Sequence, residues 1–388
     1  MHVSEYQRIA RMFMKADVPL RIWGSAGIGK SKILQQIAQA EGYHFVDLRL
    51  ATQEVGDLIG IPFVDESNPK APVTRWAQPH WMAQIWEKHH QGIPTILALE
   101  EKTRAPKEVT QAAFQILTEK AIHEHQLPST VRLFALDNPP TDEYDVATAD
   151  RAENTRWGNI YVEGNATDWI EGYAVDHMSV ELVSFIAADN SALLTADKTH
   201  WDVETIIYRT PRTWELANRL WETAKNDFDA TKDKEVMDLK LGMGACVGLG
   251  SSVQFVDSVL ADWISSDDIL SGRKTFDQVG GNPQQVMRLY SQFLLFLSDD
   301  DLRDKENGNK FSKTRITNFS SFLQGLVATH RKDLAVGLLK NLSTRTARGK
   351  GGSRTKILSQ LLQYGSPNIH HLVAELSLGA TNASIAGY

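Results

Sequence analysis

Up to about residue 165, short apolar runs alternate with stretches of helical period. Val18 to Trp23 (VPLRIW) reads as a strand and runs straight into a glycine-rich turn. Ile33, Leu34, Ile37 and Ala38 then recur on one helix face, and Gly42 offers a stop. His44 to Leu50 alternates as a strand does. Thr95 to Leu99 (TILAL) is a continuous apolar run, the mark of a parallel strand covered on both faces. Val109, Ala112, Ala113, Ile116 and Leu117 share a helix face, and Val131 to Leu136 and Asn159 to Val162 supply two more strands. Alternation of this kind needs crossover connections, so it predicts an α/β fold with a parallel sheet covered by helices. The first residues, MHVSEYQRIARMFMKADVPL, read as an amphipathic helix with polar interruptions and lack a secretory apolar core.

Beyond residue 165 the strand signal nearly vanishes. Trp214, Leu216, Ala217, Leu220 and Trp221 typify the helical spacing that follows. The pattern predicts an α/β domain over 1–165, a helical domain over 166–300 and a helical extension over 301–388. Within the extension, Ser343 to Lys356 (STRTARGKGGSRTK) is basic through Arg345, Arg348, Lys350, Arg354 and Lys356. It reads as a solvated, flexible linker, with a phosphate- or nucleic-acid-binding loop as the alternative. No repeat of fixed period is present.

Composition narrows the class. The 388 residues are 42% hydrophobic and 23% charged, as in ordinary globular proteins. A net charge of -7 argues against coating nucleic acid or an acidic membrane through the overall field. The single Cys246 excludes an internal disulfide and fits a reducing compartment; its small-residue surroundings predict close helix packing and no reactive thiolate. No run of about 18 apolar residues exists, so no membrane span is expected and the expected location is cytoplasmic. His89-His90 and His370-His371 lack metal-site spacing, and Trp76, Trp81 and Trp86 are expected to pack rather than stack bases.

The candidate chemistry begins at Gly24-Ser25-Ala26-Gly27-Ile28-Gly29-Lys30-Ser31, a G-x-x-x-x-G-K-S pattern between a strand and an amphipathic helix. Such glycines let backbone N–H groups turn inward onto phosphate oxygens at a helix N-terminus. Lys30 would reach the β- and γ-phosphates of ATP, and Ser31 would offer its hydroxyl to Mg²⁺. Glu100 and Glu101 end the apolar strand in TILALEEKTRAP, the first placed near the metal and the second near an attacking water. P-loop enzymes usually carry an aspartate at the first of these places, and Glu100 is one methylene longer. Two solvated acids at a strand end are the plain alternative. Asn138, in LFALDNPP, is either an amide for γ-phosphate and water or part of an Asn-Pro turn.

With these parts in hand, residues 15 to 225 resemble an AAA+ ATPase of the MoxR-like branch. The resemblance rests on GSAGIGKS, on DLIGIP (Asp57 to Pro62), on EEKTRAPKEVTQAAFQILTEK, and on ALDNPP followed by DRAENTRW (Asp150 to Trp157). Glu100 in place of Asp and Lys102 in place of an apolar residue depart from it. The resemblance implies that Glu101 polarises water, that Asn138 is the first sensor, and that Arg156 is the arginine finger lent to a neighbouring subunit. Arg151 competes for that last role. It further implies that Arg212, in TPRTWELANRL, is a second sensor on a helical lid, and that Arg104 serves the intersubunit or substrate side. A hexameric ring, a partner with a von Willebrand factor A domain and a client protein complex are the implied associations. A nucleotide-gated scaffold with little hydrolysis, and a DNA-associated motor using 343–356, are the competing functions; nucleic acid is disfavoured by the acidic total.

Overall fold

A computed structural model of the chain describes residues 1–67, 71–139, 151–194, 207–225, 232–260, 264–304, 310–343 and 353–383, without side chains for 151, 152, 375 and 377–383. Two compact units divide it, Met1–Asn165 and Ala166–Tyr388. Among the described residues no helix is long and apolar enough to cross a membrane.

The first unit is an α/β fold. Its elements run α1 (Val3–Ala16), β1 (Leu20–Trp23), α2 (Lys30–Ala40), β2 (His44–Arg49), α3 (Val55–Ile59), β3 (Pro62–Asp65), β4 (Val73–Trp76), α4 (His80–His90) and β5 (Thr95–Glu100). They continue with α5 (Lys107–Glu119), β6 (Ala121–Ile122), β7 (His125–Gln126), β8 (Val131–Asp137), α6 (Arg151–Asn154) and β9 (Gly158–Tyr161). Five strands form one parallel sheet in the order β2-β5-β8-β1-β9. The pleat sends alternate residues to opposite layers. Ile96, Ala98, Phe134 and Leu136 pack with α1 and α2, through Tyr6, Ala10, Ile33, Leu34 and Ile37. Leu97, Leu99, Leu133 and Ala135 face the other way, against Trp81, Met82 and Ile85 of α4 and Val109, Ala113 and Ile116 of α5. Burial on both faces explains why β5 is apolar without alternation.

The same alternation positions the strand ends. Glu100 continues the face of Ile96 and Ala98, so it points toward α2. In β1, Arg21 pairs in register with Ala135 and Trp23 with Asp137, which puts this arginine and this aspartate together on the α4–α5 side. The antiparallel hairpin β3–β4 stands apart from the sheet and exposes Phe63, Val64 and Val73.

The second unit is helical apart from one short antiparallel strand pair, Arg303–Asp304 with Lys310–Phe311. One apolar cluster joins Trp169, Val183, Phe185, Trp214, Trp221, Met243 and Phe255. Another joins Val279, Leu289, Phe293, Phe319, Phe322, Leu338 and Leu361. Helix Pro283–Phe296 serves both, giving Leu295 to the first cluster and Val286, Leu289 and Phe293 to the second. Arg354 departs from the expected solvated stretch: it is 1% exposed. Its guanidinium donates to the Leu294 and Leu297 carbonyls at 2.8 and 2.7 Å and to Asn341 Oδ1 at 2.9 Å. A cation at a helix C-terminus meets the unpaired last carbonyls, which is the physical reason for the burial. Asp299 completes the anchor by accepting from the Lys356 backbone N–H and the Ser353 hydroxyl. Arg345, Arg348 and Lys350 lie outside the described residues.

Two outcomes follow for the second unit. Arg354→Met leaves three acceptors without their donor, the Leu297 carbonyl buried and the Leu294 carbonyl and Asn341 amide oxygen partly buried, and is expected to lower unfolding free energy by about 3–5 kcal/mol in a urea titration. Burial raises the Asp267 carboxyl, but the hydrogen bonds from Arg315 and Arg273 outweigh it and hold the group below the ordinary aspartate value. A lowered folded pKa gives stability that is complete above the unfolded value and is lost as pH falls through the folded one. Asp267→Asn should therefore be less stable than the wild type at neutral pH, and thermal melts should show the gap closing below about pH 4.

Candidate functional site

The turn after β1 is shaped by its glycines. Gly27 and Gly29 have φ of 79° and 93°, left-handed values at which other residues are strained. At Gly24 the constraint is space: an added Cβ would lie 2.5 Å from the Val162 carbonyl oxygen and 2.9 Å from Ile28 Cδ1. Ile28 is buried in the α1–α2 layer, whereas Ser25 is exposed. The loop thus wraps tightly and delivers Lys30 to the first turn of α2. Lys30 Nζ donates to the Gly24 and Ser25 carbonyls at 2.6 and 2.9 Å and to Asn138 Oδ1 at 3.2 Å. Lys30 and Asn138 are 108 residues apart in the chain, and the parallel pairing of β1 with β8 brings them together.

Ser31 and Glu100 also meet. Burial raises the Glu100 carboxyl above the ordinary value; the Ser31 hydrogen bond opposes this, and the nearby Asp47 carboxylate adds to it. Glu100 is 6% exposed, and among the described residues its Oε1 has no hydrogen-bond partner. A buried, unpartnered carboxylate oxygen beside a serine hydroxyl is a hard, oxygen-only donor set and suits Mg²⁺. Among the described residues no three His, Cys, Asp or Glu side chains cluster to hold an ion. The remaining ligands of an ion here would have to come from phosphate and water. Glu101, the next residue, is half-buried and left-handed at φ 53°, an uncommon conformation outside glycine. Its N–H donates to the Leu136 carbonyl at 3.0 Å.

Two features were not read from the sequence. The first is Tyr6 of α1, fully buried, whose hydroxyl donates to the Lys30 carbonyl at 3.4 Å. Burial, and then the Glu100 charge, push its pKa upward. The second is a cluster of four buried charges behind the strand ends. Arg21 Nε donates to Asp137 Oδ2 at 2.8 Å, and both side chains are fully buried. Asp137 Oδ1 accepts from the Thr103 N–H and hydroxyl at 3.0 and 3.2 Å. Lys102 Nζ donates to Glu153 Oε2 at 2.7 Å, while Glu153 Oε1 accepts from Trp157 Nε1 at 3.2 Å and lies 3.5 Å from Arg21 Nη1. Lys102 as a departure from an apolar position was the only signal of this cluster in the sequence; its partner 51 residues away gave none.

The other expected residues are spread out. Arg156 is exposed one turn beyond Glu153, its guanidinium 5.0 Å above the Phe114 ring of α5. Arg104 is exposed just before α5. The side chain of Arg151, and Asp150 altogether, lie outside the described residues. Arg212 belongs to the second unit, exposed at the start of helix Pro211–Ala224, whose N-cap Thr210 accepts from the Thr213 N–H at 3.2 Å. Burial pushes the Cys246 thiol up, away from a reactive thiolate. No protein-family model matches the chain, and no curated protein matches it.

Gly24→Ala tests the loop geometry directly. The added methyl clashes with both the Val162 carbonyl and Ile28, and a loss of about 1–3 kcal/mol is expected by chemical denaturation.

Proposed function

We propose that the chain is an AAA+ ATPase of the MoxR-like type, coupling ATP binding and hydrolysis to remodelling, activation or assembly of a partner protein complex. One observation carries the reading: Lys30, the Ser31–Glu100 pair, Glu101 and Asn138 converge at the carboxyl ends of the adjacent strands β5, β8 and β1. Ligands of open parallel sheets bind beyond such ends.

In this reading the Gly24–Ser31 loop cradles the triphosphate, and Lys30 Nζ moves from the Gly24 and Ser25 carbonyls onto phosphate oxygens. Asn138, already within reach of Lys30, orients a water without adding charge. Glu101 accepts that water's proton, and an O–P bond forms as the bond to the ADP oxygen breaks. Ser31 and Glu100 would hold Mg²⁺, which when bound supplies charge neutralisation at the phosphates. Arg156, exposed over the Phe114 ring, serves the site of an adjoining subunit, and Arg212 serves as the lid sensor. The ring is hexameric, and a von Willebrand factor A domain protein is its partner.

The scaffold reading keeps one specific support, Glu100 at a position where P-loop enzymes carry aspartate. Lys102 lends it no support, since its charge is engaged by Glu153. Steady-state phosphate release separates the two. Lys30→Ala should abolish ATP binding; Glu101→Gln should retain binding and lose at least about 100-fold in kcat. Arg156→Ala should be equally slow, and mixing it with Glu101→Gln subunits should restore part of the activity. Wild-type turnover no higher than that of Glu101→Gln would identify a scaffold.

A further inference from the structure

We propose that Lys102 and Glu153 are positioning residues: their buried ion pair, continued through Arg21 and Asp137, holds Glu101 and Asn138 in register with the short helix that precedes Arg156. The proposal rests on the ATPase reading and extends it to residues that touch no nucleotide.

Lys102 and Asp137 adjoin candidate site residues in the chain, and Glu153 and Arg21 each lie three residues from one. Lys102 follows Glu101 directly and is 3% exposed, so its anchored side chain fixes the backbone on one side of that left-handed residue. The Glu101 N–H bond to Leu136 fixes the other side. Asp137 precedes Asn138, and both of its carboxylate oxygens are engaged, one by Arg21 and one by Thr103. Glu153 is 4% exposed, and its own carbonyl accepts the Arg156 N–H at 2.9 Å. Arg21 joins the two halves, reaching Asp137 with Nε and Asn154 Oδ1 with Nη1 at 3.2 Å. One guanidinium therefore sets the strand end carrying Asn138 and the helix leading to Arg156.

The charges balance, two against two, so the cluster carries no net charge. Buried pairs of this kind are replaceable by apolar isosteres at little or no loss of stability, whereas deleting one partner is costly. Their directional hydrogen bonds fix orientations that an apolar filling would leave to packing. A misplacement of about 1 Å at a reacting group costs on the order of 100-fold in rate. In a ring, the pair would tie the water-activating side of one site to the arginine offered to the next.

The test uses the full chain as wild type, Lys102→Met, Glu153→Gln and the double variant. Thermal midpoint, the dissociation constant for ATP in EDTA, and steady-state kcat and KM are measured on each. Each single variant should melt lower and lose about 10- to 100-fold in kcat, with the ATP dissociation constant and KM within about three-fold of wild type. The double variant, with no charge left unpaired, should regain the wild-type midpoint while kcat stays low. Recovery of kcat together with the midpoint would reduce the cluster to a stabilising element and overturn the proposal. Unchanged kcat in a folded single variant, or a KM rise at constant kcat, would overturn it equally. A wild type that neither binds nor cleaves ATP sinks the ATPase reading and the proposal with it; an active wild type with unaffected variants sinks the proposal alone.

Discussion

Two cations and two carboxylates share a space that the sheet otherwise fills with hydrocarbon, and the geometry of the first unit is tied to their pairing. Arg21 lies in the strand that feeds the glycine loop, Asp137 ends the neighbouring strand, Lys102 follows the next, and Glu153 stands on the helix before β9. Removing any one would strand a charge at a site with almost no access to water, a loss of about 3–5 kcal/mol against total stabilities of about 5–15. The cluster thus demands that these four segments arrive together, and the residues beside them arrive with it.

The strand ends illustrate how little extra information that arrangement needs. In a parallel pair, register and pleat decide which side chains share a face. Given the β1–β8 register, Lys30 and Asn138 must approach each other. Given the pleat of β5, Glu100 must face α2 and Ser31, while Tyr6 closes the same layer from beneath.

The parallel strands were legible because their signal is local. The expected runs Thr95 to Leu99 and Val131 to Leu136 each extend by one residue, to Glu100 and Asp137, since a terminal carboxylate interrupts hydropathy without interrupting the ladder. The glycine loop was legible for the same reason: its spacing is contained in eight residues. The hairpin at Pro62–Asp65 and Val73–Trp76 was not legible, because its apolar residues face outward and carry no alternation to read. The charge cluster was illegible in principle. Its contacts span 51, 116 and 132 residues, and no periodicity links an arginine to an acid at such distances. Arg354 misled in the opposite sense: its basic, glycine-containing neighbours hid a side chain that serves the core.

That buried arginine also determines what its neighbourhood permits. Its three hydrogen bonds reach the end of helix Pro283–Phe296 and, through Asn341, helix Lys332–Leu342, so one side chain rivets two helices of the unit. Neither helix end can shift without breaking a hydrogen bond to a charged group, each worth about 1.5–3 kcal/mol. The two helices are consequently expected to exchange their amide protons as one cooperative block instead of fraying separately.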